Sequence, residues 1–207
     1  MAHLDFYFDY SSPFAYLGAT QVGAAAKRHD AEVHFKPFFL GGLFKSIGTP
    51  LVPFAEMPQA KQKLAMKDMY RWAEYWEVPF SFPSRFPMNT IAALRMTLQL
   101  SNDQIEPFML AVFRAYWGED RDINDPNVLK GIADELELDG TGLLEGCQNP
   151  DIKQKLKDAT EAAVGTGLVG APTFVVRDGD DDEIMFWGQD RLMMVEKALD
   201  GWRPKSG

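Results

Sequence analysis

The sequence predicts an α/β fold in which strands at both ends of the chain enclose a long helical middle. Apolar and polar residues alternate up to residue 9, and a helix and a second alternating run follow, as in a β-α-β unit. Between residues 59 and 165 the apolar side chains recur at helical spacing. A proline at 172 then precedes a strand, a hairpin and a last helix. This is the element order of a thioredoxin-like sheet with an inserted all-helical subdomain.

The N-terminal unit is predicted by its alternation and by one helix start. Ser12 and Pro13 mark that start, because proline lacks the N–H that the first helical turn leaves unpaired. A second alternating run ends near Pro37. The predicted elements are a strand at 3–9, a helix at 12–29 and a strand at 32–38.

The middle of the chain is predicted to be helical after one long loop. Glycines and prolines punctuate residues 40–58, which we expect to form a loop that serves as a partly ordered lid beside the site. Asp125 and Asn149 each precede a proline, which is typical of a capped helix start. The predicted helices cover 59–78, 91–100, 103–117, 125–136 and 149–164, with an extended segment at 80–87.

The C-terminal elements begin at Pro172. A proline before a strand is a place where a cis peptide bond can be held. The acidic run 178–182 invites a calcium interpretation, but it lacks the EF-hand spacing, and a solvated turn is the simpler interpretation. The remaining predicted elements are strands at 173–177 and 183–187 and a final helix from Gly188 to about Leu199.

Length and charge narrow the class of protein. We expect one domain over 1–207, with thioredoxin-like parts at about 1–50 and 166–207 and a helical insertion at about 59–165. The net charge of −9 makes nucleic acid and anionic membranes poor partners. The N-terminus lacks a signal pattern, and no apolar run approaches the ~20 residues that a membrane helix needs. A cytoplasmic protein is the expectation.

Cys147 is the only cysteine in the chain. No intrachain disulfide can form, and a dithiol redox enzyme is excluded. Cys147 ends an amphipathic run, so we expect a small buried core residue, with a reactive thiol as the lesser alternative.

Ser12 is the candidate catalytic residue. A hydroxyl at a helix N-terminus lies beside free backbone N–H groups and the positive end of the helix dipole, an environment that stabilises an anion such as a thiolate. The alternative interpretation is a helix cap with no further role, since serine commonly caps helices.

Five ordered motifs resemble one family of enzymes. The chain is similar in nearly its whole length to 2-hydroxychromene-2-carboxylate isomerases and to their relatives, the kappa-class glutathione transferases, within the DsbA-like thioredoxin superfamily. Ser12 stands where DsbA-type oxidoreductases carry a nucleophilic cysteine. The motifs are Asp5-Phe-Tyr-Phe-Asp-Tyr-Ser-Ser-Pro-Phe-Ala-Tyr-Leu17, Phe86-Pro-Met-Asn-Thr90, Phe113-Arg-Ala-Tyr-Trp-Gly118, Gly170-Ala-Pro-Thr173 and Phe186-Trp-Gly-Gln-Asp-Arg-Leu192.

The resemblance implies that glutathione is the cofactor and supplies the reactive sulfur. Ser12 would donate a hydrogen bond to its thiolate, and it would not attack substrate itself, because no histidine base lies near it in sequence. The backbone of Ala171, before a cis Pro172, would pair with glutathione like an added strand. Gln189 and Asp190 would receive its γ-glutamyl end, although Asp190 alone also fits a helix cap.

Cations and aromatic residues complete the implied site. Lys61 matches a glutathione-binding lysine of the family, and Lys45 is the candidate for the substrate carboxylate, although either also fits a solvated helix face. Asn89 matches a site asparagine and equally fits a helix cap. Phe14 and Trp187 would wall the substrate pocket, or belong to the core. No metal ligand set is expected.

The resemblance has one weak segment and leaves three functions open. Residues 49–58 depart from the pattern of many relatives, with Thr49 where an asparagine is common, and Leu64 replaces a frequent tyrosine.

The first function is a glutathione-dependent isomerase acting on a small aromatic carboxylate in aromatic-hydrocarbon catabolism. The second is a kappa-like transferase or peroxidase, and the third is a non-catalytic thioredoxin-like binding module. A homodimer is expected from the resemblance alone.

Overall fold

The computed structural model describes residues 2–179 and 183–205. Strands and helices follow in the predicted order. The four strands are β1 (His3–Phe8), β2 (Glu32–Pro37), β3 (Thr173–Arg177) and β4 (Glu183–Trp187). The helices are α1 (Pro13–Arg28), α2 (Leu40–Ile47), α3 (Pro53–Glu56), α4 (Gln59–Tyr75), α5 (Ile91–Thr97), α6 (Asn102–Trp117), α7 (Pro126–Glu135), α8 (Gly140–Gly146), α9 (Pro150–Gly165) and α10 (Leu192–Leu199), with a 3₁₀ turn at Gln189–Arg191 before α10.

The strands form one mixed sheet in the order β2-β1-β3-β4. β1 pairs in parallel with β2, which the crossover through α1 requires, and antiparallel with β3. β3 and β4 form the predicted hairpin, with Thr173 opposite Trp187. The predicted acidic turn at 178–182 lies partly outside the described residues, because residues 180–182 are not described. The predicted thioredoxin-like sheet is thus confirmed.

The two faces of the sheet follow the alternation of β1. Leu4, Phe6 and Phe8 point into the larger core, which α1, α6 and α10 cover. Tyr7, on the other face, packs in a smaller core with residues of α2 and α9. β1 therefore lies between the two cores and pairs with strands from both ends of the chain. The loop after β1 leaves the sheet at the border between the two cores.

The prediction of a loop over 40–58 is wrong for most of that segment. Residues Leu40–Ile47 form α2, whose apolar face is buried, and a further turn of helix follows at Pro53–Glu56. Glycine lowers helix propensity by about 1 kcal/mol relative to alanine, which is why the sequence indicated a loop. Here the packing decides: a Cβ on Gly42 would come within 2.9 Å of the Thr160 methyl group on α9.

Smaller differences concern helix ends. α4 ends at Tyr75, two residues before Glu77 adopts a left-handed φ of 55°, rather than continuing to 78. α8 was not predicted as a separate helix. Asp125 and Asn149 cap α7 and α9 as expected, each accepting a hydrogen bond from the backbone N–H two residues later. Among the described residues, no helix has the length and apolarity needed to cross a bilayer.

Candidate active site

Ser12 lies between β1 and α1, where the sequence placed it. Its backbone is extended, with φ −100° and ψ 117°, and its Oγ accepts a hydrogen bond from the Ala15 N–H at 3.1 Å. Pro13 follows as the first helical residue. The predicted N-cap is therefore present, and the serine is only 6 % exposed.

The Ser12 hydroxyl also reaches the loop before β3. It donates a hydrogen bond to the carbonyl oxygen of Ala171 at 2.9 Å, and the Ala171–Pro172 peptide bond is cis, as expected. Gly18 permits this approach of α1, because a Cβ there would contact Pro172 and Phe174 at 3.3–3.4 Å. The helix N-terminus and the cis-proline loop thus face each other across one hydrogen bond.

Asp9 holds the loop that carries Ser12. Its Oδ1 accepts hydrogen bonds from the Ser11 N–H at 2.9 Å and from the Thr90 hydroxyl at 2.7 Å, and its Oδ2 accepts one from the Leu40 N–H at 2.7 Å. Its carbonyl oxygen accepts from the Ser12 N–H at 3.1 Å. Complete burial raises the pKa of the Asp9 carboxyl, and the hydrogen bonds from Ser11, Leu40 and Thr90 oppose that rise.

Buried aromatic residues fix the same loop from α6. The Trp117 indole N–H donates to the Tyr10 carbonyl oxygen at 2.8 Å, and the Tyr10 hydroxyl lies 2.7 Å from the hydroxyl of Thr97. Burial raises the pKa of Tyr10, so its phenol stays neutral. The backbone around Ser12 is thus anchored on both sides, which is the preorganisation that an anion site needs.

A cavity of about 430 Å³ opens beside the cis-proline loop. It has the size of small-molecule sites. Phe14, Ala171, Pro172, Trp187, Gln189 and Asp190, all predicted site residues, line it together with Met57, Ala65, Asp68, Trp72, Gly188 and Arg191. Trp187 is 58 % exposed, so it forms an outer wall rather than part of the core.

Gln189 carries an unusual polar group. Its side chain is buried, with 3 % exposure, and its Oε1 receives no hydrogen bond from the described residues. An unpaired buried carbonyl is costly, by about 1–3 kcal/mol. Since Gln189 lines the cavity, a turn of its side chain would present this oxygen as an acceptor to an N–H or ammonium group of a ligand.

Arginines balance the acidic groups of the cavity. Asp190 is ion-paired with the adjacent Arg191, and the Asp68 carboxylate lies 2.8 Å from the Arg71 guanidinium. Asp68 also lines a neighbouring groove of about 570 Å³ that continues between α4 and α10. The charges around the cavity are therefore close to balanced, in contrast to the overall net charge of −9.

Four predicted site residues are not among the described residues that line this cavity. Ser12 adjoins the cavity only through its hydrogen bond to Ala171. Lys45, at the end of α2, and Lys61, on α4, are exposed, and neither is among the described residues that line the cavity. Lys61 does lie one helical turn before Ala65, on the stripe that lines the cavity. The Asn89 side chain accepts a hydrogen bond from the Ile91 N–H at 2.9 Å, which is the capping contact.

Cys147 is buried in the larger core, as predicted. Its sulfur contacts the carbonyl oxygens of Leu143 and Ala92 at 3.3 and 3.5 Å, within the helical part of the chain. Burial raises the pKa of this thiol, with Arg95 opposing the rise. The thiol is therefore a poor nucleophile, and a sulfur that reacts at Ser12 has to come from outside the chain.

The residues present fit a bound thiol peptide. The helix N-terminus and Ser12 would hold its sulfur as the anion, and the Ala171 backbone would pair with its peptide groups. The unpaired Gln189 oxygen and Asp190 would hold its amino end. Each of these groups faces or adjoins the same cavity.

Sequence reasoning missed the supporting residues. Asp9 stood at the end of a strand as one polar residue among several, and its partners Leu40 and Thr90 are 31 and 81 residues away. Asp68 and Trp72 lie within the helix predicted over 59–78, and no role in the site was predicted for them. Their spacing with Ala65 on one helix face was the available signal.

Comparisons with known proteins agree with this fold. Residues 3–200 match the model of the DSBA-like thioredoxin domain. The chain is similar to a 2-hydroxychromene-2-carboxylate isomerase of Sphingobium xenophagum, at 34 % identity over 95 % of this chain and 97 % of that protein. It is also similar to glutathione S-transferase kappa 1 of Homo sapiens, at 23 % identity over 95 % and 90 % of the two chains. A solved 2-hydroxychromene-2-carboxylate isomerase has the same fold, with a TM-score of 0.80 and 24 % identity over 96 % of this chain and 94 % of that one.

Proposed function

The chain belongs to the DSBA-like thioredoxin domain family and, within it, to the group of the 2-hydroxychromene-2-carboxylate isomerases, and from this premise we propose that it is a glutathione-dependent isomerase. Its reaction interconverts 2-hydroxychromene-2-carboxylate and trans-o-hydroxybenzylidenepyruvate in the breakdown of aromatic hydrocarbons. The named relatives support the reaction, and the site supports the cofactor.

One observation carries the proposal. A serine hydroxyl caps α1 and lies 2.9 Å from the carbonyl oxygen of Ala171, beside a cavity whose buried Gln189 oxygen has no described partner. The same place in a disulfide oxidoreductase requires a cysteine, and this chain has its single thiol buried elsewhere. The site is therefore built to hold a sulfur that a ligand brings.

Ser12 can change partner without leaving a polar group unpaired. In the structure its hydroxyl donates to the Ala171 carbonyl. With a thiolate bound, the hydroxyl would turn and donate to the sulfur, and the freed carbonyl would accept a backbone N–H of the tripeptide. The Ala15 N–H continues to donate to the Ser12 Oγ and strengthens its hydrogen bond to the anion.

The hydrogen bond from Ser12 and the N-terminus of α1 both favour the thiolate form of the ligand. If together they lower the pKa of the thiol by two units, the thiolate is favoured by about 2.7 kcal/mol, at about 1.36 kcal/mol per unit. Bound glutathione would supply a thiolate that adds reversibly to the conjugated substrate, so that a double bond gains single-bond character and rotates. Phe14 and Trp187 line the cavity and would contact the substrate ring, and Arg191, the cation among the lining residues, would face the substrate carboxylate.

The proposed reaction is tested by two assays run in parallel. We expect an absorbance change with the chromene carboxylate that requires glutathione, and little conjugation of a chloro-nitroaromatic acceptor. The reverse preference would favour the kappa-like transferase. Negligible heat on titration with glutathione would favour the non-catalytic binding module and would contradict both enzymes.

The variant Gln189→Leu tests separately what the unpaired oxygen contributes to glutathione binding and what it costs in stability. Leucine has nearly the same volume and removes the unpaired buried oxygen, so we expect the free protein to gain about 1 kcal/mol in free energy of unfolding. The same change removes an acceptor for glutathione, and its affinity should fall about tenfold. Calorimetric titration and denaturant unfolding measure the two effects. A variant that loses stability and keeps its affinity would show that the oxygen has no role in binding.

Four further expectations accompany the proposal. We propose the cytoplasm as the compartment, because glutathione is kept reduced there. We propose a homodimer, and a single DsbA-like domain over residues 1–207 whose helical insertion covers about 59–165. Lys61 stays a proposed glutathione contact that a modest movement along α4 would bring to the cavity.

A further inference from the structure

A second cluster of chemically active side chains lies at the other end of β1 from Ser12. His3 and Asp5 are two residues apart on β1 and so point to the same face of the sheet. His34 on β2 stands opposite Asp5 in the parallel register. Asp5 precedes the Asp9 loop by four residues, which is about 13 Å along a strand. The cluster is therefore separate from the glutathione site.

The three side chains offer the ligand set of a transition-metal site. One nitrogen from each histidine and one oxygen of Asp5 all lie within 4.8 Å of one another. Ligand atoms about 2.1 Å from a zinc ion are roughly 3.4 Å apart in a tetrahedral site, so the cluster has to contract by a little over 1 Å. The two imidazole rings already lie with their centroids 4.6 Å apart, and both histidine side chains are only half-buried, so they have room to turn.

The Asp5 carboxylate shows an independent sign of a missing partner. The residue is 4 % exposed, and its Oδ1 receives no hydrogen bond from the described residues, with the His34 Nδ1 at 3.3 Å. Its Oδ2 is held by the Arg177 Nε–H at 3.0 Å. One oxygen is thus oriented by a neighbour while the other faces the histidines, which is how carboxylate ligands of metals are usually supported.

Nearby charges permit a dication. Lys36 lies 3.8 Å from Asp5 Oδ1, but its side chain is 43 % exposed and can move into water. Glu32 lies 3.4 Å from His34 Nε2, and Glu183 pairs with Arg177. With neutral histidines the charges of Asp5, Glu32, Glu183, Lys36 and Arg177 sum to −1, so the surroundings would partly neutralise a bound dication.

From this geometry we propose that His3, Asp5 and His34 bind a divalent transition-metal ion of the Zn²⁺ class. Imidazole and carboxylate ligands suit such ions better than they suit Mg²⁺ or Ca²⁺, which prefer all-oxygen sites. Three protein ligands leave a further position for water. The ion would link the start of β1 to β2.

The chain provides a matched control for this site. His29 is the third of the three histidines, and its ring nitrogens face different carboxylates, Asp200 at 2.7 Å and Glu196 at 3.5 Å. Its two nitrogens point apart and cannot converge on one ion with a second histidine. His29→Ala therefore removes an imidazole without touching the proposed site.

The test uses tag-free, chelator-treated protein titrated with Zn²⁺ against a chromophoric competitor, and with Co²⁺ by visible absorption. We expect one ion per chain, binding at least tenfold weaker in His34→Ala and unchanged in His29→Ala. Lys36→Met should bind several-fold more tightly, because it removes a positive charge 3.8 Å from a ligand oxygen. Far-UV circular dichroism checks that each variant is folded. Failure of the intact chain to bind Zn²⁺ at about 100 μM, or equal affinity in His34→Ala, would overturn the proposal.

Discussion

Ser12→Ala lowers the isomerase kcat/KM by about 10- to 100-fold in this account. That range corresponds to about 1.4–2.7 kcal/mol of lost stabilisation of the reactive thiolate. The hydroxyl that donates to the sulfur is gone, while the helix N-terminus and the Ala15 N–H remain, so some activity should persist. The measurement is initial-rate kinetics at saturating and limiting glutathione.

The control for Ser12→Ala should be a variant that removes a helix cap and leaves the candidate site intact. Asn149 is such a residue, since it caps α9 before Pro150 just as Ser12 caps α1 before Pro13. Both substitutions should cost about 1 kcal/mol in free energy of unfolding, the usual effect of removing a cap. Only Ser12→Ala should lower activity. Equal activity losses in the two variants would show that Ser12 acts as a cap alone.

Asp9→Ala has the largest expected effect on stability. It leaves three donors without their acceptor, namely the half-buried N–H of Ser11, the buried N–H of Leu40 and the buried hydroxyl of Thr90. We expect the free energy of unfolding to fall by about 3–5 kcal/mol. Asp9→Asn should cost about 1–3 kcal/mol, because one backbone N–H faces the amide NH₂ whichever way the amide is turned.

Thr90→Val is the smaller companion change. It removes one donor to Asp9 and leaves the Ser11 and Leu40 contacts in place, so it should cost about 1 kcal/mol. Denaturant unfolding of the three variants gives the comparison. If Asp9→Ala were no less stable than Thr90→Val, the carboxylate would not be what holds the loop.

The raised pKa of Asp9 gives its contribution a definite pH dependence. Burial makes the folded protein bind this proton more tightly than the unfolded chain does, whose carboxyl has a pKa near 3.9. Stability from this group is therefore greatest below that value and declines as the pH rises towards the folded pKa. The Thr90 hydroxyl can accept from the protonated acid and donate to the ionised one. Asp9→Asn should lose this decline, and a wild-type advantage that grew above pH 4 would contradict the assignment.

The sequence predicted correctly those elements that depend only on residues close together in the chain. The alternation of β1 and the cap-then-proline at Ser12 and Pro13 were correct because each depends on neighbouring residues alone. The segment 40–58 was mispredicted because its glycines weaken the helix locally while contacts with Asp9 and Thr160 hold it in place. Those contacts join residues far apart in the chain, and no pattern within the segment reports them.

In the candidate site, the sequence likewise predicted the residues that belong to local motifs but not the contacts between their side chains. Ser12 and Ala171 were found from their motifs, and the structure joins them by one hydrogen bond across 159 residues. The unpaired Gln189 oxygen and the pairing of Asp190 with Arg191 depend on side-chain placement, which the sequence does not specify. Lys45 was predicted as a cation in the segment 40–58 and Asn89 from its match to the family, and the structure leaves both exposed and outside the described residues that line the cavity.

The most direct measurement is the acidity of glutathione bound to this protein, followed through the ultraviolet absorbance of the thiolate as the pH is raised. We expect an apparent pKa about two units below the ~8.5 of a free thiol, with Ser12→Ala returning part of that difference and Asn149→Ala none of it. A bound thiol that titrates like the free peptide in the wild-type protein would contradict the account at its centre.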